Sequence, residues 1–588
     1  SREIWISQRK ILPMRTIEVQ YGYENRAKGG RNMPVRLSID NRAYADMEGS
    51  VEFLFRQPDG ELYAYAYPLR LTAGETYTAS YVVPLSVGAD AFWVRLRDSA
   101  GKLAETKRVE LTKSGGEPEL FIGLLSDSPE ALAYLNGVSV NYGQMKTRTF
   151  ALSENDFPED RRQLDAFDVV VISNYQVSNL SVRQVRALMQ WMRNGGVLLF
   201  GTGERVNDTL GMFAPEFLDD MYEQPTAQEL SLAATDGLSV QTPGTEDEAE
   251  APVALPYVHI SLHGGSEVVS AGERPLITAA NKGNGVLAVS SIDLTALHDY
   301  ASAHTQYTDQ LLTRLLGSAR LERLASEAQS VRYGEEWSAE TLVDNGAATL
   351  LPNLLGYGAL LFFYLLLVGP ALYAVLRHFR SEQIYRRAAI AVTVFFAGLT
   401  WLFSAGSRFR SPFYSYASIQ EAGEDVLSET VYVNLRNPRH RSYQLALEAG
   451  SEIVPLATAK QTAANSSVSG EEEADLTVSE RGKEREIAVR NPAAFSAKLL
   501  RMEKSTANEQ SLGFSGDLSL FGDKVSGTVT NRYPYAVNNA FLLFYGKVVA
   551  LGRMEANETV DVSERNVYNI PLNNKPMVAA FLTGVYDG

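Results

Sequence analysis

The chain has 588 residues, of which 45% are apolar and 21% are charged, and this length and composition suit several folded domains. Its formal net charge of −16 argues against nucleic acid as a partner, because phosphates require a basic surface, and against broad adhesion to anionic lipid. The sequence contains no cysteine, which excludes disulfides, thiolate metal sites and a catalytic cysteine. It also lacks a phosphate-binding loop of the GxxxxGK type, and we expect no cofactor.

The first predicted domain, residues 1–115, consists of short strands. Apolar and polar residues alternate at 51–55 and 92–96, and turn sequences such as 57–60 separate the alternating runs. This spacing predicts a β-sandwich. Tyrosines two residues apart either pack against a neighbouring strand, which we favour, or form a stripe that binds sugar or peptide: Tyr63, Tyr65 and Tyr67.

The second predicted domain covers residues 118–320 and follows a linker at 113–118. Four strands are predicted from apolar runs at 120–125, 167–172, 196–200 and 285–292. Runs that are apolar on both faces are typical of parallel sheets, so we expect an α/β domain with a mainly parallel sheet. Residues 281–285 read as a hairpin turn.

One helix of this domain is predicted at 181–193. Ser181 and Gln184 have the spacing of a capping box, and Gly195 suits the end of the helix. The apolar residues of the helix are predicted to lie on one face: Val182, Val185, Leu188, Met189 and Met192.

Residues 354–406 are predicted to form a transmembrane helical hairpin. The uncharged runs 354–376 and 388–406 are each long enough to cross a hydrocarbon core of roughly 30 Å. Gly369 and Pro370 predict a kink in the first helix. Neither run contains an ionisable residue, so we expect an anchor in the lipid bilayer rather than an ion path.

The turn of this hairpin, residues 377–387, predicts the orientation of the chain. It holds a cluster of arginines, and short basic loops stay in the cytoplasm. We therefore expect residues 1–353 and 407–588 to lie outside the cell, with a signal peptide removed ahead of Ser1, although Arg408 and Arg410 weaken the charge bias. The residues that set this topology are Arg377, Arg380, Arg386 and Arg387.

The last predicted domain, residues 412–588, returns to short strands and is expected to be a second β-sandwich. Its Ser-, Thr-, Ala- and Glu-rich loop at 457–483 is predicted to be flexible. The strands are predicted at 429–435, 484–490, 495–504, 514–521, 524–530, 539–545 and 547–551.

Several segments resemble known proteins. The strand FDVVVIS at 167–173, followed by LSVRQVRALMQWMRNGGVLLFGTG at 180–203, resembles the glutamine-amidotransferase-like fold in membrane-anchored bacterial proteins, including auxiliary components of ABC transporters. Segments 19–41, 364–380 and 527–562 resemble parts of one Gram-positive family with a β-domain, such an α/β domain, a transmembrane hairpin and a β-sandwich. The resemblance implies an extracytoplasmic accessory protein beside a membrane complex such as an ABC transporter.

An active amidotransferase of this class places a cysteine nucleophile on a sharp strand-to-helix turn, with a histidine after a later strand. The matching turn here, 200–203, carries Thr202 instead, so the resemblance implies a pseudoenzyme. Thr202, Asp293 and His298 form a hydroxyl–carboxylate–imidazole set only if the fold brings them together. The alternative is that Asp293 caps a helix and the glycines allow the turn.

Other candidate sites are weaker. His259 and His263 alternate like strand residues, which would hold them too far apart for one metal ion. The acidic segment 233–250 is either a calcium- or partner-binding loop or a solvated insertion.

Three functions follow from these patterns. The leading hypothesis is a non-catalytic, membrane-anchored accessory or scaffold protein that binds a membrane complex. The second is a cell-surface hydrolase acting on a cell-wall or glycan substrate, with its pocket at the carboxyl ends of the parallel strands. The third is a surface protein that binds carbohydrate or peptide through its tyrosines.

Overall fold

A computed structural model describes residues 15–85, 89–112, 118–232, 252–333, 341–343, 354–379, 382–407, 412–423, 426–448, 450–457, 470–481, 484–494, 496–522, 524–544, 547–563 and 565–569. Most of its regular structure is β-strand, arranged in several sheets. The chain divides into two compact units, each assembled from distant parts of the sequence. One unit holds Ser1–Lys113, Ser326–Ser418 and Val431–Met502, and the other holds Ser114–Ala325, Ile419–Thr430 and Glu503–Gly588.

The first seven strands form two antiparallel arrays. Strands β1, β2 and β5 make one sheet, and β4, β3, β6 and β7 lie side by side in another. Their inward faces share one apolar core, which confirms the predicted β-rich domain. The strands are β1 Thr16–Tyr21, β2 Asn32–Asp40, β3 Met47–Arg56, β4 Leu62–Leu71, β5 Thr76–Pro84, β6 Ala91–Asp98 and β7 Leu103–Glu110.

The next strands form an eight-stranded sheet in the order β15-β16-β17-β12-β11-β8-β10-β9, in which β10, β8, β11, β12 and β17 run parallel. The predicted strands and the hairpin turn between β16 and β17 are confirmed. Strands β13 and β14 pair separately. The bounds are β8 Glu119–Leu125, β9 Ser139–Val140, β10 Met145–Leu152, β11 Val169–Ile172, β12 Val197–Gly201, β13 Thr226–Leu230, β14 Val253–Tyr257, β15 Ser266–Ala271, β16 Arg274–Lys282 and β17 Gly285–Ser290.

Helix Val182–Arg193 begins with the predicted capping box. The Ser181 hydroxyl accepts a hydrogen bond from the Gln184 backbone N–H, and the Gln184 side chain accepts one from the Ser181 N–H. The apolar face is not buried throughout, because Val182 is 75% exposed, whereas the polar Gln184 is buried. The Gln184 amide donates to the carbonyl oxygens of Glu154 and Phe157, so a polar side chain occupies a core position there. Further helices are His298–Ala303, Thr305–Leu316 and Ser318–Tyr333.

The predicted hairpin region is helical. Helix Leu354–Leu366 passes through a π-helical turn, Leu367–Ala371, into helix Leu372–His378, and helix Tyr385–Ser407 follows. Pro370 lies in the π-helical turn, in agreement with the predicted kink. The Tyr385 hydroxyl donates to the carbonyl oxygen of Val368 at 2.9 Å, which satisfies an acceptor in the irregular turn.

The next seven strands in the described part of the chain, β18 to β24, follow these helices. Strands β18, β19, β24 and β21 make a four-stranded sheet in that order. Strands β20, β23 and β22 instead extend the β4-β3-β6-β7 array into a seven-stranded sheet, in which β22 runs parallel to β4. The strands are β18 Phe413–Ala422, β19 Val426–Arg436, β20 Tyr443–Glu448, β21 Glu452–Leu456, β22 Leu476–Arg481, β23 Glu484–Val489 and β24 Lys498–Ala507.

The sequence predicted one β-sandwich over residues 412–588. This pairing instead places β20, β22 and β23 in one sheet with strands of the first predicted domain. At the junction, the Asp475 N–H donates to the Leu62 carbonyl oxygen at 2.8 Å, and the Asp475 carboxylate accepts from the Leu62 N–H at 2.9 Å. The acidic run predicted to be flexible is partly ordered here, since the Glu473 carboxylate lies 3.1 Å from Arg97 and 2.7 Å from Arg490. Residues 458–469 of that loop lie outside the described residues.

The last six strands form two three-stranded sheets, β25-β26-β29 and β27-β28-β30. Buried Val529, Val549, Met554 and Val562 belong to their common core. The bounds are β25 Phe514–Phe521, β26 Lys524–Asn531, β27 Val537–Phe544, β28 Lys547–Met554, β29 Thr559–Asp561 and β30 Val567–Asn569.

Candidate functional site

The parallel sheet has a topological switch point between β8 and β11. From β8 the chain goes on to β10 on one side, whereas from β11 it goes on to β12 on the other. Open α/β sheets bind ligands outside the carboxyl ends of their strands at such a point. The predicted site residues Thr202, Asp293 and His298 follow β12 and β17, so this edge of the sheet is the candidate site.

Thr202 is buried in a tight turn. Its hydroxyl donates to the carbonyl oxygen of Ser290 at 2.6 Å, and its backbone N–H donates to that of Ile292 at 3.0 Å. A Cβ atom on Gly201 would lie 1.9 Å from the Ser173 hydroxyl oxygen, so this position requires glycine. Gly203 has a positive φ of 64°. The turn is close-packed, and the threonine hydroxyl is engaged by the backbone.

Asp293 caps a short helical turn, as the alternative interpretation predicted. Its carboxylate accepts from the Thr295 N–H at 3.0 Å and from the Ser173 hydroxyl at 2.7 Å. The Ser173 oxygen in turn accepts from the Leu294 N–H at 3.0 Å. The carboxylate therefore ties the end of β11 to the segment after β17.

His298 opens helix His298–Ala303 and faces a different partner. Its Nδ1 lies 3.1 Å from the carbonyl oxygen of Ala131, which can only accept a hydrogen bond. Among the described residues, no hydrogen bond joins His298 to Thr202 or to Asp293. The hydroxyl–imidazole–carboxylate arrangement that acyl-transfer chemistry requires is therefore not formed by these three side chains.

Arg205 forms a polar network that sequence reasoning missed. Its guanidinium donates to the Asp127 carboxylate at 2.6 Å, to the Asn174 side-chain oxygen at 2.8 Å and to the Asp208 carboxylate at 2.8 Å. The hydrogen bond to Asp127, followed by that to Asp208, raises the pKa of Arg205. Asn174 has a positive φ of 51°, and its amide donates to Ser128. Asp127, Asn174 and Arg205 each follow the carboxyl end of one of the parallel strands β8, β11 and β12. That shared position is the sequence signal from which the network could have been predicted.

The histidines and acidic residues give no metal site within the described part of the chain. There, no group of three or more His, Asp or Glu side chains is placed to hold a metal ion. Residues 258–261 are not in a strand, contrary to the prediction, and His263 Nδ1 lies 2.8 Å from the Asp219 carboxylate. The acidic segment 233–250 lies outside the described residues.

The tyrosine stripe of β4 belongs to the core. Tyr63 and Tyr65 are buried, and the Tyr65 hydroxyl donates to the carbonyl oxygen of Ile453 at 2.9 Å. The Tyr67 hydroxyl donates to that of Val82 at 2.9 Å. Burial removes the basis for a carbohydrate- or peptide-binding stripe here.

One helical segment within the described residues, Leu355–His378, is long and apolar enough to cross a membrane. Its apolar window is not buried by other parts of the chain. Arg377 at the end of this segment is exposed, as are Arg386 and Arg387 at the start of helix Tyr385–Ser407, and Arg380 lies outside the described residues. The large apolar side chains exposed on this segment include Leu355, Leu361, Phe362, Phe363, Leu365 and Val375.

Two segments match families of unknown function. Residues 15–112, which contain β1 to β7, match a family described as a domain of unknown function (DUF8726). Residues 513–584, which contain β25 to β30, match another such domain (DUF8725). No match is found among curated proteins.

Similarity to solved structures is remote. A cytoplasmic protein of Salmonella typhimurium LT2 is 13% identical, with 33% of this chain and 99% of that chain covered and a TM-score of 0.25. A second Salmonella typhimurium cytoplasmic protein is 16% identical, with 38% and 95% covered and a TM-score of 0.24. A β-galactosidase from Bacillus circulans sp. alkalophilus is 9% identical, with 65% and 41% covered and a TM-score of 0.19. Scores this low assign no function.

Proposed function

We propose that this chain is a non-catalytic, membrane-anchored accessory protein that binds an integral membrane complex at the outer face of the cell membrane. The burial of Thr202 carries the proposal. Its hydroxyl stands where an amidotransferase-like domain would place the nucleophile, yet it donates to the Ser290 carbonyl oxygen at 2.6 Å. A nucleophile needs a neighbouring base and access to substrate, and Thr202 has neither within the described residues.

The α/β domain serves in this proposal as an amidotransferase-like recognition module. Support comes from the parallel sheet and from polar groups at its carboxyl edge that bind one another. Ser173 bonds to Asp293, and Arg205 bonds to Asp127 and Asp208. A surface whose charges are already paired is rigid and suits recognition of a partner by shape. The hydrolase alternative needs Thr202, Asp293 and His298 within hydrogen-bond reach, and their observed partners disfavour it.

The strand pairing supports an anchor with both soluble parts on one side. Strand β4 precedes the apolar helices in sequence, and β22 follows them, yet the two strands lie side by side in one sheet. A hydrogen-bonded sheet cannot be divided by a bilayer, because its backbone groups would lose their partners. If Leu355–His378 crosses the membrane, helix Tyr385–Ser407 must return across it. The exposed arginines at the turn favour a cytoplasmic turn and outer soluble parts.

The proposed partner is an integral membrane complex, and an ABC transporter is the case that the sequence resemblance favours. The apolar helices expose large side chains and are free to contact other helices as well as lipid. Because the hairpin has no ionisable group within its apolar runs, any transport function belongs to the partner.

Purification from the native membrane in mild detergent tests this proposal. We expect the tagged chain to co-purify with integral membrane subunits in a fixed ratio, as resolved by size-exclusion chromatography and mass spectrometry. The variant Thr202→Val serves as a matched control, because a non-catalytic role predicts the same subunits at the same ratio. A solitary protein, under conditions that keep known transporters intact, would contradict the proposal.

A further inference from the structure

We infer that the loop 437–442, together with the start of β18, forms a surface that binds the anionic headgroups of the bilayer that holds the hairpin. This inference rests on the proposed membrane anchor. It assigns a lipid contact to residues outside the apolar helices, in a chain whose net charge of −16 would disfavour such a contact elsewhere.

The loop is built to present positive charge. Arg439, His440 and Arg441 follow one another and are all exposed. Within the described part of the chain, neither arginine side chain has an acidic partner. Two adjacent unpaired guanidinium groups on an acidic protein are complementary to phosphate oxygens, which they contact through several N–H donors.

Hydrogen bonds fix the shape of this loop before any ligand arrives. The Asn437 side chain accepts from the Arg439 N–H at 3.0 Å and donates to the Arg441 carbonyl oxygen at 2.9 Å. His440 Nδ1 lies 2.9 Å from the Pro492 carbonyl oxygen, and the Ser442 hydroxyl donates to the Asn491 side chain at 3.0 Å. A preorganised loop pays little conformational entropy on binding.

The loop follows β19, at the end of the β18–β19 pair where β18 begins and from which the chain leads back to the second apolar helix. The two strands are neighbours in one sheet, and the Gly423 N–H donates to the Val426 carbonyl oxygen at 2.8 Å where β18 ends and β19 begins. Phe413 and Arg436 therefore lie together at the opposite end. The chain from Ser407, where the second apolar helix ends, to Phe413 spans at most about 20 Å at roughly 3.5 Å per residue.

Two tyrosines at the same end complete the surface. Tyr414 and Tyr416 point to one face of β18, each is 65% exposed, and their ring centroids are 6.2 Å apart. Tyrosine is enriched at membrane interfaces because its ring suits the headgroup layer while its hydroxyl stays hydrated. Exposed aromatic rings and unpaired arginines at one end of a strand pair are the combination expected of a protein surface that touches lipid headgroups.

Hydrogen–deuterium exchange on the full chain in nanodiscs tests this surface. One preparation contains phosphatidylcholine alone, and the other contains an equal mixture with phosphatidylglycerol. We expect amide exchange in 439–442 to be slower by about fivefold or more in the anionic discs, and added salt to remove the difference. The variant with Arg439→Gln and Arg441→Gln should exchange equally in both.

A charge-matched control replaces exposed arginines elsewhere in the same unit, Arg70→Gln and Arg108→Gln, and should keep the lipid dependence. Equal exchange of the unaltered chain in both discs would overturn the headgroup contact while leaving the anchor intact. Failure of the chain to enter either disc would overturn the anchor, and the headgroup contact with it.

Discussion

At the scale of single residues, what a side chain can do chemically depends on the atoms to which it is hydrogen-bonded. Thr202 lies in the turn that follows β12, and its hydroxyl donates to the Ser290 carbonyl oxygen. The Asp293 carboxylate likewise accepts hydrogen bonds from the Ser173 hydroxyl and from the Thr295 N–H. These hydrogen bonds hold together the segments that follow β11, β12 and β17 at the carboxyl edge of the sheet.

Replacing Thr202 tests that interpretation. Thr202→Val keeps the volume but removes the hydroxyl donor from the buried Ser290 carbonyl oxygen. We expect the free energy of unfolding to fall by about 1–3 kcal/mol, measured by thermal or denaturant unfolding in detergent. Thr202→Ser keeps the donor and should lose only about 1 kcal/mol for the missing methyl group. Equal stability of the valine variant and the unaltered protein would contradict the assigned role.

At the scale of elements, a polar contact joins parts of the chain that are far apart in sequence. The Lys498 ammonium at the start of β24 lies 2.5 Å from the Glu61 carboxylate, just before β4. Lys498 is 5% exposed, whereas Glu61 keeps about a third of its side chain in solvent. Burial disfavours the charged carboxylate more than the neighbouring Lys498 ammonium stabilises it, and the pKa of Glu61 is therefore raised. Such a pair adds little net stability compared with an apolar pair, because the cost of desolvating the charges offsets their attraction.

A double-mutant comparison measures this pair. Lys498→Met alone leaves the Glu61 charge without its partner, and we expect a loss of about 2 kcal/mol, less than for a fully buried pair because Glu61 is partly solvated. Adding Glu61→Leu should recover most of that loss, since an apolar pair of similar volume has no charge to desolvate. If both variants were equally destabilised, the pair would have no specific role.

Local elements were predictable from the sequence, whereas the assembly of the sheets was not. The capping box at Ser181, the strands of the parallel sheet and the turn near Gly283 depend on neighbours in sequence, and they are confirmed. The pairing of β22 with β4 depends on residues about four hundred positions apart, and alternation in a strand does not name its partner. The alternation favoured packing of Tyr65 against a neighbouring strand, and Tyr65 is buried, but the pattern could not name Ile453 as the partner of its hydroxyl.

The candidate site shows the same limit. The sequence identified the turn at Thr202 and the cap at Asp293 because glycines and capping residues are local signals. It missed Arg205, whose partners Asp127 and Asn174 follow other strands. Only the parallel arrangement of β8, β11 and β12 brings these residues to one edge.

At the scale of the whole molecule, the pairing of strands in the soluble part limits the membrane topologies that can be proposed. Strands from before and after the apolar helices share one sheet, and this favours an even number of crossings independently of any charge rule. In the proposed topology, the arginines at the turn favour the cytoplasm for the turn and the outside for the soluble parts.

Single-cysteine labelling tests the proposed topology most directly, because the 588 residues contain no cysteine that would give background labelling. Arg70→Cys, Gln383→Cys and Glu555→Cys place exposed thiols before, within the turn of, and after the hairpin. We predict that a membrane-impermeant maleimide labels positions 70 and 555 in intact cells and position 383 only after permeabilisation. Labelling of position 383 in intact cells, or of only one of the two outer positions, would contradict the account.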